Sequence, residues 1–344
     1  MSKMKGLPGS KNTSGNSNNR MRTGEKLLQQ FHRTSLSLLP TPFYKLDNIS
    51  SKLSLNIYCK RDDLTGFGFG GNKTRKLDFL IADALSKQTN TIIAVGSGQS
   101  NFCRMAAAAG KVYNLNVHLV LGGKEQEKPT GNLLLDYLFG PEIHFIESDD
   151  WNILNEYAIS LEKDLIATGK NVYRMPVGGS TTIGALGYVD AFYEILDDCK
   201  AQNISIDTII HASSSGGTQA GLIVGKVLSG WQGRIIGMGV AKTTTQLTDE
   251  IYNLATATGK LFDVSIERQD VIIDNQFMGS AYAARTEACT TACRMFAQME
   301  GIILDNVYTG KAAAGLLEYA RRGLFSQQEN VAFIHTGGAP EIFE

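Results

Sequence analysis

The feature that most restricts this chain's fold is an alternation. Short β-branched runs at 55–59, 91–95, 117–121, 142–146, 208–212, 234–240, 271–275 and 331–335 are separated by helix-like stretches at 74–88, 100–114, 130–139, 152–168, 183–202, 217–229, 284–300 and 310–323. Parallel strands need long crossover connections, usually helices, so this rhythm predicts an α/β chain with mostly parallel sheets flanked by helices. The runs at 91, 117 and 142 are almost evenly spaced and read as one small lobe, 75–183. Residues 26–74 and 184–344 then form a larger lobe, making the architecture two-lobed. A chain of 344 residues is long enough for two such cores. Residues 1–25, rich in Ser, Asn, Gly and Lys, read as a flexible leader with no apolar run of the secretory type.

Bulk properties remove several classes of function. Lys and Arg total 33 against 34 Asp and Glu, so the net charge of −1 gives no reason to bind nucleic acid. No apolar run approaches the roughly 20 residues that cross a bilayer. The five cysteines, Cys59, Cys103, Cys199, Cys289 and Cys293, are odd in number and contain no CxxC pair. They read as free thiols in a reducing, cytoplasmic setting. Cys289 and Cys293 share a helix face but lack further ligands nearby in sequence, so no metal is expected.

Open α/β sheets bind ligands beyond the carboxyl ends of their strands, and three segments there are rich in polar groups and glycine. The first runs Lys60-Arg-Asp-Asp-Leu-Thr-Gly-Phe-Gly-Phe-Gly-Gly-Asn-Lys73-Thr-Arg-Lys76. Its spacing fails the dinucleotide fingerprint, and Asn72 breaks the P-loop pattern by one residue. A loop that merely turns the chain is the plain alternative. Against it stands Lys73, at the end of the glycine run and the start of a helix. There the helix terminus, Arg75 and Lys76 would lower its pKa and attract a phosphate. A neutral amine at pH 7 is what Schiff-base chemistry requires.

The second segment is Val95-Gly-Ser-Gly-Gln-Ser-Asn101, leading into an alanine-rich helix. Ser100 or Asn101 serves equally as an N-cap or, with free backbone N–H groups, as a receptor for a substrate carboxylate. The third is Ile209-Ile-His-Ala-Ser-Ser-Ser-Gly-Gly-Thr-Gln219, whose Ser215, Gly216, Gly217 and Thr218 suit a phosphate cup at a helix N-terminus. Tyr282, Tyr308 and His335 each follow plausible strand or loop positions, and each alone reads as an ordinary buried ring.

Together these segments resemble the family of 1-aminocyclopropane-1-carboxylate deaminase and D-cysteine desulfhydrase. The resemblance extends from about Leu39 to Phe343. It rests on Lys60-Arg-Asp-Asp-Leu-Thr-Gly, Gly71-Asn-Lys-Thr-Arg-Lys-Leu, Gln99-Ser-Asn101, Gly131-Asn-Leu-Leu-Leu-Asp136, Val177-Gly-Gly-Ser180 and His335-Thr-Gly-Gly-Ala-Pro340. It implies a tryptophan-synthase-β-like, fold type II enzyme using pyridoxal 5'-phosphate, acting as a homodimer on a small amino acid. By the resemblance, Lys73 is the Schiff-base lysine and Lys76 a phosphate contact. Asn101 bonds the cofactor's phenolic oxygen, and Gln99, Ser100 and Asn101 face the substrate, Ser100 meeting its carboxylate or assisting proton transfer. Ser215, Gly216, Gly217 and Thr218 hold the phosphate, while Tyr282 and Tyr308 face the substrate across the cofactor.

The residue after Tyr308 divides the family. Cyclopropane deaminases carry glutamate there, which keeps the cofactor's ring nitrogen protonated; here it is Thr309. A neutral partner leaves a weaker electron sink, sufficient for α-proton loss and β-elimination. The desulfhydrase branch is therefore favoured, giving pyruvate, ammonia and the leaving group. Phe102, where that branch has His, and Ala281-Tyr-Ala283, where the family has Gly-Tyr-Gly, leave the substrate open. Alternatives are the cyclopropane substrate, L-cysteate, and a non-catalytic cofactor-binding protein.

Overall fold

Every residue of the strand Thr208–Ser213 is buried, and so are six of the seven in Thr91–Ser97. Strands covered on both faces are expected of parallel sheets wrapped by helices, and a computed structural model of residues 23–343 shows two such sheets. The ten strands of the described residues are β1 (Phe43–Lys45), β2 (Asn56–Lys60), β3 (Thr91–Ser97), β4 (Asn116–Gly122), β5 (Glu142–Ile146), β6 (Val172–Met175), β7 (Thr208–Ser213), β8 (Arg234–Gly239), β9 (Ile272–Asp274) and β10 (Asn330–Ile334). The larger sheet has the order β1-β2-β10-β7-β8-β9, parallel except for β1; the smaller, wholly parallel, is β5-β4-β3-β6.

The helices are α1 (Thr23–Leu27), α2 (Asp47–Leu53), α3 (Lys73–Ser86), α4 (Asn101–Val112), α5 (Gly131–Phe139), α6 (Trp151–Ala167), α7 (Thr182–Gln202), α8 (Gly217–Ser229), α9 (Thr244–Gly259), α10 (Glu287–Glu300) and α11 (Thr309–Arg321). The expected two-lobed α/β architecture is what is found. β1, β6, α1, α2 and α9 were not expected from the sequence, three of them for clear physical reasons. β1 is three residues long and antiparallel, at the sheet edge. β6 is a half-exposed edge strand of mixed polarity. α9 opens on a threonine-rich run that resembles coil, although Thr243 and Gln246 form the capping box that marks a helix start. Of the leader expected over 1–25, residues 1–22 lie outside the described residues, and the last three positions enter α1.

One core is built around α7 and α8, with Tyr188, Phe192, Leu222 and Ile223 buried between them and the larger sheet. A second lies on that sheet's other face, where Phe296 meets Phe333. The smaller sheet buries Ile92, Leu119 and Leu121 against α4, and Ile93, Val95 and Val120 against α6. Each such aliphatic side chain contributes about 1.5–3 kcal/mol on leaving water. The crossing of α3 and α7 is set by Gly187, where a Cβ would lie 2.3 Å from the Arg75 carbonyl. Only glycine lets α7 approach the first turn of α3 this closely.

Candidate active site

The cavity lies beyond the carboxyl ends of β3, β7 and β10, where the two sheets face one another. It is lined by residues that include Lys73, Ser100, Asn101, Ser215, Thr218, Tyr282 and Tyr308, and encloses about 740 Å³ with its mouth included. Eight segments that are distant in sequence meet there.

Lys73 is the first residue of α3. Burial lowers its pKa to about 8, against an opposing pull from the Glu341 carboxylate. At pH 7 about a tenth of the amine is therefore uncharged, far more than for an ordinary lysine. Arg75 plays no part in this, contrary to the sequence expectation. Its guanidinium points away from the cavity and is buried on Asp62 (2.8 Å) and Glu194 (2.8 Å). Lys60 joins Glu194 at 2.7 Å, and the Tyr188 hydroxyl donates to Asp62 at 2.5 Å. This network ties the first turn of α3 to β2 and α7 and so fixes where Lys73 emerges.

Lys76 is fully buried one turn further on and donates to the Gly178 carbonyl at 3.1 Å. Burial and the neighbouring Lys73 hold its pKa well below the usual lysine range. Its Nζ faces the start of α8, where the N-cap Gly216, at φ +81°, has no side chain to cap the helix. A Cβ on Gly217 would lie 2.8 Å from both Lys76 Nζ and Ser180 Oγ. Ser180 Oγ donates to Ser215 Oγ at 2.9 Å and accepts from the Gly217 N–H at 3.2 Å, and Asn72 Nδ2 donates to Thr218 Oγ1 at 3.0 Å. A helix terminus with a glycine N-cap, a buried lysine and a ring of hydroxyls make an anion cup.

Ser100 caps α4, its hydroxyl oxygen accepting from the Cys103 N–H at 3.2 Å. Asn101 donates to Glu341 Oε1 at 2.6 Å, while its own Oδ1 is buried without a partner among the described residues. Ser213 Oγ, at the end of β7, is likewise buried and without a partner there. The hydroxyls of Tyr282 and Tyr308 share a short hydrogen bond, and Trp151 meets the Tyr282 ring edge-on with centroids 6.4 Å apart. Burial pushes Tyr282 up to about 12 and Tyr308 well above its usual value, so both phenols keep their protons at neutral pH.

Two predicted site residues stand apart from this group. Gln99 turns toward α5, accepting from the Asn132 N–H at 2.7 Å and donating to the Thr130 carbonyl at 3.3 Å. It lines an adjoining cleft with Ser97, Tyr282 and Glu341. Thr309 is fully buried behind Tyr308; its hydroxyl donates to Asp305 Oδ1 at 2.5 Å and accepts from the Asp305 N–H at 3.0 Å. Sequence reasoning did not single out Ser213, Trp151 or Glu341. Ser213 ends a buried strand directly before the phosphate-type loop, a position that could have suggested it. Trp151 and Glu341 reach the site only through the fold.

The fold and this cavity define a class: enzymes with two parallel sheets and an amine-plus-anion site between them. Residues 34–337 match the family described as Pyridoxal-phosphate dependent enzyme, and the chain belongs to that family. Over 319 residues it is 38% identical to a protein of Pyrococcus abyssi (strain GE5 / Orsay) whose name, 1-aminocyclopropane-1-carboxylate deaminase, is provisional; 93% of this chain and 95% of that one are covered. It is 36% identical to D-cysteine desulfhydrase of Klebsiella pneumoniae (strain 342), over 92% of this chain and 97% of that one. A solved structure described as an ACC deaminase homologue superposes with a TM-score of 0.87 at 38% identity, covering 93% and 96% of the two chains. A fungal L-serine ammonia-lyase from Rhizomucor miehei, 16% identical with a TM-score of 0.66 over 90% of this chain and 96% of that one, shares the fold.

The cofactor of the family is pyridoxal 5'-phosphate, and the residues present fit it. A buried amine of lowered pKa suits its aldehyde, and the glycine-capped helix start beside Lys76 suits its phosphate. The partnerless oxygens of Asn101 and Ser213 are polar atoms that a polar ligand would satisfy.

Proposed function

We propose that this enzyme catalyses α,β-elimination from a small β-substituted amino acid in the manner of a D-cysteine desulfhydrase, giving pyruvate, ammonia and the leaving group, hydrogen sulfide from cysteine. Lys73 would hold the cofactor covalently, with Lys76, Ser215, Gly216, Gly217 and Thr218 around its phosphate and Asn101 beside its ring. When bound, the cofactor supplies an electrophilic carbon for the substrate amine and a conjugated ring that delocalises charge from the substrate Cα. Ser100, with the α4 N-terminus, receives the substrate carboxylate. Lys73 Nζ, once free and uncharged, removes the Cα proton. The Tyr282–Tyr308 pair, protonated on both rings, donates a proton to the departing β-substituent. Trp151 and Phe102 limit the space around that group and keep water from it.

The observation that carries this reading is the absence of any carboxylate from the cavity's described lining. With Glu341 held on Asn101 and Asp305 behind Thr309, no carboxylate of the lining would keep a ring nitrogen protonated, so the electron sink suits loss of an α-proton better than opening of a ring that has none. The identity to the Pyrococcus protein supports a second reading, 1-aminocyclopropane-1-carboxylate deamination, for which 2-oxobutyrate would be the product. Steady-state assay against D- and L-cysteine, L-cysteate, other β-substituted alanines and 1-aminocyclopropane-1-carboxylate separates the two. Pyruvate from a β-substituted alanine supports elimination, and 2-oxobutyrate release in its place rejects it. The reading includes a large lobe of 26–74 plus 184–344, a small lobe of 75–183, and a cytoplasmic homodimer. None of the described helices is long and apolar enough to cross a membrane.

A further inference from the structure

Away from the cavity, near the amino-terminal ends of β4 and β5, three potential ligands converge. The β4–β5 register sets His118 opposite Glu142 and Val120 opposite His144, so both imidazoles project from the same sheet face with the carboxylate beside them. His118 Nδ1 and His144 Nε2 are 3.2 Å apart. Glu142 brings one carboxylate oxygen to 3.5 Å from His118 Nδ1 and the other to 3.5 Å from His144 Nε2. The ligands of a tetrahedral zinc centre, with bonds of about 2.0–2.1 Å, are about 3.3–3.4 Å from one another. The three groups therefore already stand at ligand spacing.

The far side of His144 strengthens the case. Its Nδ1 lies 3.2 Å from the Tyr157 hydroxyl on α6. With the Nδ1 proton donated to that oxygen, the Nε2 lone pair is turned toward His118, as a partner of this kind orients a metal-bound imidazole. The side chains of His118 and His144 are only 9% and 15% exposed, whereas that of Glu142 is 65% exposed, which leaves an entry path and a place for water. A hydrogen bond between the rings accounts for their separation alone, but not for a carboxylate set against both nitrogens. Lys170 acts on His118 as a cation and opposes metal binding.

We propose that His118 Nδ1, His144 Nε2 and a carboxylate oxygen of Glu142 bind a divalent transition-metal ion of the zinc type, with water as fourth ligand. The sequence reading considered metal only at Cys289 and Cys293 and expected none. Glu142 and His144 are two positions apart on β5, His118 lies 24 positions before Glu142 on β4, and the three meet through strand register. The ion would join edge strand β5 to β4 and, through Tyr157, to α6.

The test is titration of Co(II) into full-length, cofactor-loaded protein freed of metal with a chelator. The visible absorption of four-coordinate Co(II) should saturate at one equivalent and disappear on adding Zn(II). Glu142→Gln, a change on an exposed side chain, should weaken binding at least about tenfold, and H118Q/H144Q should abolish it. Bound-cofactor absorbance verifies that each variant is folded. Absence of the band in the parent protein, its survival in H118Q/H144Q, or its loss in C289S/C293S would overturn the site.

Discussion

Asn101 donates its amide to Glu341 at 2.6 Å, joining the first residue of α4 to a residue 240 positions later. The same carboxylate raises the pKa of Lys73 against the effect of burial. Glu341→Gln keeps an acceptor for Asn101 but removes the charge, so the Lys73 inflection should move below its position near 8. The pH dependence of the rate at which apoenzyme captures pyridoxal phosphate reads this directly. An unmoved or rising inflection would exclude electrostatic control by Glu341.

The lysine needed for chemistry should also weaken the cofactor-free fold. Lys73 titrates near 8 when folded and at about 10.5 when unfolded. Below pH 8 both states are protonated and the full burial cost is present; between 8 and 10.5 the unfolded chain binds the extra proton and stability rises with pH. Lys73→Met should therefore stabilise the apoprotein at pH 7 by up to about 3 kcal/mol, with the advantage fading above pH 10. Urea denaturation of both proteins at pH 7 and 10 measures it. The same variant should lose catalysis by at least about a thousandfold.

Gly217→Ala would put a methyl between Lys76 Nζ and Ser180 Oγ, each 2.8 Å away. Gly217 opens α8, where alanine is otherwise tolerated, so the loss should fall on anion binding. Fluorescence titration of apoenzyme should show pyridoxal phosphate bound at least tenfold more weakly. Pyridoxal, which lacks the phosphate, should be affected far less.

For Thr309 the structure points to a stability role. Its hydroxyl and Asp305 exchange hydrogen bonds, while Asp305 also accepts from the N–H groups of Val307, Tyr308 and Thr309. Thr309→Val should cost about 1–2 kcal/mol in the apo and holo proteins alike, with Thr309→Ser restoring most of it. Thermal unfolding of both forms tests this. A fall in kcat with unchanged stability would instead give the hydroxyl a direct part in the reaction.

These residues show what the sequence could and could not disclose. The strand-to-helix junctions after Val95 and His211 and the lysine at the head of α3 were legible because local chemistry makes them: β-branched runs, then glycine and hydroxyl residues, then helix formers. Arg75 was misjudged because its partner Glu194 lies 119 residues away. The direction taken by Thr309 depends on Asp305, one turn before it, and on burial that composition does not reveal. Trp151, Glu341 and the His118–His144 pair depend on register and lobe packing, to which no short motif corresponds.

The central position of β10 has a further consequence. In the larger sheet it lies between β2 and β7, yet it ends at Ile334, while every strand of the smaller sheet is complete by Met175. A chain emerging from the ribosome can assemble the smaller sheet early. The larger one stays split, with β2 and β7 each presenting an open edge, until β10 has emerged. Loss of a short C-terminal piece would then leave two unjoined half-sheets, prone to pairing with other chains.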